Sequence, residues 1–150
     1  MYCFDTDVLS ATMRRNPPLA LIRRLAAVPA AQQHTTAITA GELLYGVARS
    51  PREHLVEHIR TLLESAIMVL PFDSAAAAAY ADLRIALERA GRPLDEPDLR
   101  IASIVVARDL TLVTGHGRHF DRVPGLRVEN WLADAAGGGV DHPVSPTTPS

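Results

Sequence analysis

The strongest constraint on this chain is an alternation of short apolar or β-branched runs with longer stretches of helical periodicity. Residues 2–4, 35–38, 67–70, 110–113 and 126–128 read as strands. Residues 8–15, 19–27, 40–49, 52–65, 74–90 and 99–108 between them read as helices. Such alternation predicts a three-layer α/β/α domain with a central, mainly parallel sheet. Its crossovers should be right-handed and its ligands should sit at the carboxyl ends of the strands. A chain of 150 residues supports one core of this kind. The domain is expected over residues 1–133. The segment 134–150 holds Gly137-Gly138-Gly139, Pro143, Pro146 and Pro149 and is expected to be a disordered tail.

Composition removes several chemistries. All 15 basic residues are arginine and there is no lysine. A lysine Schiff base and a Walker A phosphate loop are therefore excluded. Cys3 is the single cysteine, which excludes an internal disulfide and a cysteine-rich zinc site. No basic-then-apolar leader opens the sequence and no apolar run reaches membrane-spanning length. The expectation is a soluble cytoplasmic protein with no membrane partner. A net charge of -2 neither favours nor opposes a nucleic-acid partner.

Three acids fall at element junctions. Asp5 follows the first strand, Glu42 follows the second, and Asp98 opens the helix that leads to the fourth. In a parallel sheet these positions share one edge. Each also has an ordinary structural explanation. Thr39 and Glu42 have the spacing of a capping box, Asp95 and Asp98 suit a helix N-terminus, and Asp5 could close a turn. As a set they point to a site. Clustered carboxylates repel unless a cation lies among them, and oxygen donors suit Mg²⁺ or Mn²⁺. Such an ion polarises a phosphoryl oxygen and acidifies a bound water, which is the chemistry of phosphate-ester hydrolysis.

These junctions resemble those of the PIN-domain ribonucleases, in particular the VapC toxins of bacterial toxin–antitoxin pairs. The resemblance rests on Phe4-Asp5-Thr6-Asp7-Val8-Leu9, on the stretch from Thr39 to Val47, and on Gly91-Arg92-Pro93-Leu94-Asp95-Glu96-Pro97-Asp98 with Ile101-Ala102. It extends to Leu112-Val113-Thr114, Phe120, Val123-Pro124-Gly125-Leu126 and Glu129-Asn130-Trp131. It covers residues 1–132. It implies that Asp5, Glu42 and Asp98 are the catalytic acids, with Asp5 and Asp98 holding Mg²⁺ or Mn²⁺ and Glu42 acting through a water. The family's fourth acid would lie between Thr114 and Phe120. Here that stretch is Gly115-His116-Gly117-Arg118-His119, so His116 stands nearest its place, and Asp7 stands where the family usually has Asn. The resemblance further implies an endoribonuclease acting on tRNA or ribosomal RNA, a homodimer, and neutralisation by a cognate VapB-type antitoxin. Arg118 and Arg122, then Arg14 and Arg15, are the candidates for RNA phosphates.

Other patterns compete. His54-Leu55-Val56-Glu57-His58 matches the inverted metalloprotease order, although an exposed helix face explains it as well. Phe4, Phe72 and Phe120 are expected in the core. Asp5-Thr6-Asp7 partly resembles the opening of a haloacid-dehalogenase-type phosphatase, a reaction that normally uses a lysine this chain lacks. A non-catalytic PIN-like domain that binds RNA or antitoxin is the remaining alternative.

Overall fold

The computed structural model describes residues 1–136, with side chains described to residue 133. Five parallel strands form one sheet in the order β3-β2-β1-β4-β5. They are β1 (Tyr2–Phe4), β2 (Gln33–Thr36), β3 (Met68–Leu70), β4 (Thr111–Val113) and β5 (Arg127–Glu129). The helices are α1 (Thr6–Thr12), α2 (Leu19–Ala26), α3 (Ala37–Arg49), α4 (Glu53–Thr61), α5 (Ser74–Arg89), α6 (Glu96–Ala107), α7 (Gly117–Phe120) and α8 (Trp131–Ala136). The predicted α/β/α architecture is the observed one. The tail expected from residue 134 falls, from 137 onward, outside the described residues. No helix among the described residues is long and apolar enough to cross a membrane.

The pleat divides the core in two. Successive strand residues face opposite sides, so Cys3 and Leu112 enter one cluster and Phe4 and Val113 the other. The first cluster packs Leu83 and Leu87 of α5 and Leu99, Ile101, Ile104 and Val105 of α6 against the sheet. The second holds Val8 and Leu9 of α1, Leu21 of α2, Ile59 of α4 and Trp131 of α8. Trp131 meets Tyr2 and Phe4 edge-on at 5.0 and 5.4 Å. Strands buried on both faces are the expected condition of a parallel sheet.

The second strand begins and ends earlier than its sequence suggests. Residues 35–38 carry β-branched side chains, yet β2 stops at Thr36 and Ile38 lies in α3. The reason is capping. The Thr36 hydroxyl accepts the Thr39 N–H at 3.0 Å, satisfying one of the free donors at the start of α3. The expected helix over 52–65 also divides, with α4 ending at Thr61 and a π-helical turn over Leu62–Ala66.

Candidate active site

The order of the strands fixes where the site lies. The chain moves outward from β1 to β2 and β3, crosses back through α5 and α6 to β4, and continues outward to β5. The reversal falls between β1 and β4, the position where an open α/β sheet has a crevice at its carboxyl edge. Asp5 and Thr114 are the residues that immediately follow these two strands.

Asp5 is the N-cap of α1 and is 6% exposed. Its Oδ1 accepts the Thr6 N–H at 2.8 Å and its Oδ2 accepts the Thr114 hydroxyl at 2.9 Å. Burial raises its pKa to about 6 against the pull of these hydrogen bonds, and the charges of Asp7 and Glu42 push in the same direction as burial. Glu42 projects from α3 into solvent and accepts the Thr6 hydroxyl at 2.8 Å. It does not form the capping box that its spacing with Thr39 allows, because Thr36 is the cap. Glu42 is thus free of a helix-end duty.

Asp98 lies in the first turn of α6 and is partly buried. Burial raises its pKa above the ordinary carboxylate value; His119 opposes that rise, Asp95 adds to it and His116 weakly opposes it. His119 Nδ1 lies 3.5 Å from Asp98 Oδ2, and His116 Nε2 lies 3.6 Å from Asp7 Oδ2. The two imidazoles stack, with centroids 5.3 Å apart and planes 15° from parallel. Asp7 and Asp98 are therefore joined through a histidine pair. Asp95 occupies the N-cap position of α6 without a side-chain cap bond. Glu96 turns away to Tyr80 and Arg100, so it adds no charge to the centre.

Asp7 accepts the Gly115 N–H at 2.7 Å and the Val8 N–H at 2.9 Å. A Cβ on Gly115 would collide with Asp7 Oδ2 and lie 2.9 Å from Leu132 Cδ1, so glycine suits this approach. Both Asp7 oxygens accepting backbone N–H groups is a poor arrangement for the proton donor that the phosphatase reading requires.

The structure separates the candidate arginines. Arg122 donates to the carbonyls of His119 and Pro93, tying α7 to the loop before α6. Arg118 is exposed beside the histidines and makes no hydrogen bond or ion pair among the described residues. Arg14 borders a groove between α1, α3 and α4 that also holds Glu42, whereas Arg15 is exposed after α1. His54 and His58 lie on the exposed face of α4, as an ordinary helix face requires. Phe4 and Phe120 are buried, but Phe72 is 38% exposed and meets Tyr80 edge-on, contrary to its expected place in the core.

Among the described residues, no three His, Cys, Asp or Glu side chains form a ready ligand cage. The donors nonetheless fit a hard cation. Each Asp5 oxygen has one protein donor and keeps a further lone pair, and burial, with the charges of Asp7 and Glu42 adding to it, makes its ionised form costly. Mg²⁺ typically takes one or two carboxylates and keeps several waters.

A family model described as PIN domain matches residues 2–126. The chain belongs to the PIN domain family. This PIN domain is 33% identical over 133 residues to the tRNA(fMet)-specific endonuclease VapC of Shigella flexneri, spanning 87% of this chain and 97% of that protein. It is 30% identical over 134 residues to Ribonuclease VapC2 of Rickettsia felis, spanning 87% and 98%. Among solved structures, VapBC2 from Rickettsia felis bound to a promoter DNA fragment superposes with a TM-score of 0.76 at 28% identity, covering 87% of this chain and 98% of the other. DNA-bound VapBC from Salmonella typhimurium gives 0.77 at 29% identity, covering 87% and 97%.

Sequence reading missed Thr6, Thr114 and His119. Thr114 carried a usable signal: it ends the strand beside β1 and so stands next to Asp5. Thr6 and His119 carried none, because their roles depend on the orientation of α1 and α7.

Proposed function

We propose that this PIN domain is a metal-dependent endoribonuclease toxin that cleaves structured RNA, tRNA or ribosomal RNA, in the cytoplasm. The observation that carries this reading is the burial of Asp5 at the sheet's reversal point, with Asp7 and Glu42 near enough to raise its pKa. An uncompensated acid cluster of this kind is costly unless a cation completes it. Asp5 and Asp98 would hold Mg²⁺ or Mn²⁺. The ion would supply Lewis-acid polarisation of the scissile phosphate and acidification of a water. Glu42, exposed and held among the described residues by the Thr6 hydroxyl, orients that water. Thr114 and the Thr6 N–H hold Asp5 in place. His116 lies in the stretch where the resemblance places a fourth acid, with its Nε2 3.6 Å from Asp7 Oδ2.

Relatives solved as VapBC complexes support a VapB-type antitoxin as partner; a homodimer is the assembly proposed with it. The groove beside Glu42 is lined by Met13, Leu43, Val47, Leu55 and Ile59. It suits an apolar antitoxin segment that ends against the acids and blocks them.

The test is cleavage of a tRNA mixture with Mg²⁺ or Mn²⁺ by rigorously nuclease-free protein. Asp98→Ala should abolish cleavage while the circular dichroism and unfolding curves stay native. Full activity in that variant would remove Asp98, and with it the metal-nuclease reading.

A further inference from the structure

An enzyme that cuts inside an RNA strand must hold nucleotides on both sides of the cut. Two depressions flank the acids, and they differ in chemistry. The groove beside Glu42 carries Arg14 and Arg52 among mostly aliphatic walls, but no aromatic or histidine ring on which a base could stack. On the opposite flank lies a cleft of about 470 Å³ lined by His116, Arg118, His119, Asp121 and Asn130 together with two glycines. Its floor is the stretch of chain that leaves β4 and is pinned by Asp7.

Within this cleft the His116 and His119 rings already form a near-parallel step. Their side chains are 60% and 56% exposed. Each ring edge faces an acid, Asp7 or Asp98, so the step is held in register with the proposed centre. A ring used only as a core filler would be buried. These two are exposed, mutually stacked and edge-anchored, which leaves an outer face open. Proteins recognise unpaired RNA by stacking splayed bases on aromatic or histidine rings, with arginine nearby for the backbone. Arg118 lies between the two histidines in sequence and is uncommitted among the described residues. Asp121, the one acid of the cleft, is drawn toward Arg92 at 3.7 Å, and Asn130 turns its Oδ1 to the N–H groups of Leu132 and Ala133.

We propose that the His116–His119 step is a nucleobase-stacking subsite for an unpaired nucleotide flanking the scissile phosphate, with Arg118 taking an adjacent phosphate. The subsite rests on the endoribonuclease reading and fixes which side of the acids the strand occupies. It also assigns His116 and His119 to substrate binding rather than to the ion.

The experiment uses the full chain in EDTA, so that no strand is cut, and a short single-stranded RNA carrying 2-aminopurine at successive positions. Stacking on the histidines should quench the fluorophore at one position. His116→Ala and His119→Ala should weaken binding roughly tenfold and abolish the quench, since each removes one face of the stack. His116→Phe and His119→Phe keep a stacking face but lose the polar edge, and should restore both. Alanine variants that bind and quench like the wild type would overturn the subsite, as would phenylalanine variants as weak as alanine. If wild-type protein binds no RNA, the endoribonuclease reading falls and the subsite with it. Retained binding with no effect at the histidines removes the subsite alone.

Discussion

The hydroxyl of Thr114 donates to Asp5 Oδ2 at 2.9 Å across 109 positions of sequence, joining the ends of β1 and β4. The Thr114 hydroxyl oxygen in turn accepts the His116 N–H at 3.1 Å. One side chain therefore orients the buried acid and shapes the turn that presents the histidines. Thr114→Val keeps the volume and removes both bonds. It should destabilise the fold by about 1–3 kcal/mol, because a buried acceptor loses its donor. It should also raise the Asp5 pKa further and move the acidic limb of the cleavage pH profile upward, which initial rates across pH 5 to 8 would reveal. An unchanged profile would mean that Thr114 does not act on Asp5.

The raised pKa of Asp5 makes stability depend on pH with a definite sign. The folded chain holds this proton more tightly than the unfolded one, about 6 against 3.8. The stabilising contribution is full below pH 3.8 and is lost as pH rises through about 6. Metal-free protein should therefore carry a burden of about 3 kcal/mol from this residue at pH 8 relative to acid conditions. Urea unfolding in EDTA should show Asp5→Asn flattening the dependence between about pH 4 and 7 and gaining stability at pH 8. Divalent-ion affinity runs the other way, increasing as Asp5 ionises.

Gly115→Ala tests the approach of Asp7. The added methyl would collide with the carboxylate and with Leu132. The loop or α1 must shift, costing about 1–3 kcal/mol. Thermal melts should register the loss, and the 2-aminopurine quench should weaken because His116 moves with the loop. A neutral melt would show that the loop has slack.

Glu42 and Thr36 separate site from scaffold. Thr36→Ala removes the cap of α3 and should cost about 1 kcal/mol. Glu42→Ala removes one exposed hydrogen bond to Thr6, so it should leave stability within about 0.5 kcal/mol while cleavage falls. Paired unfolding and activity measurements check both. A destabilisation by Glu42→Ala equal to that of Thr36→Ala would restore the capping explanation for Glu42.

The central strands β1 and β4 were legible because they are buried on both faces and so read as short apolar runs, as at Leu112 and Val113. Asp5, Glu42 and Asp98 were legible as acids at junctions, but their duties were not. Choosing between a cap and a free carboxylate at Glu42 depended on whether Thr36 or Thr39 begins the helix, a difference of three residues in where the cap falls. The β-branched side chain of Ile38 favours a strand locally; the Thr36 cap and the packing of α3 override it. Arg118 and Arg122 were equivalent as sequence, since both are arginines near the same turn. Only the position of the Pro93 and His119 carbonyls makes one a brace and leaves the other uncommitted. The histidine step was invisible for a similar reason: α7 is too short to show periodicity, yet it sets the two rings face to face.

The crossover that returns from β3 to β4 also governs when this protein could first become active during synthesis. A nascent chain of 110 residues already contains Asp5, Glu42 and Asp98, but not the strand that hydrogen-bonds beside β1. Its central strand has an open edge, Asp5 lacks Thr114, and neither His116 nor His119 has been made. The acids cannot be held in register until β4 slips between β1 and the place that β5 will take. A chain stopped before β4 therefore lacks both the hydrogen-bonded neighbour of β1 and the hydroxyl that orients Asp5.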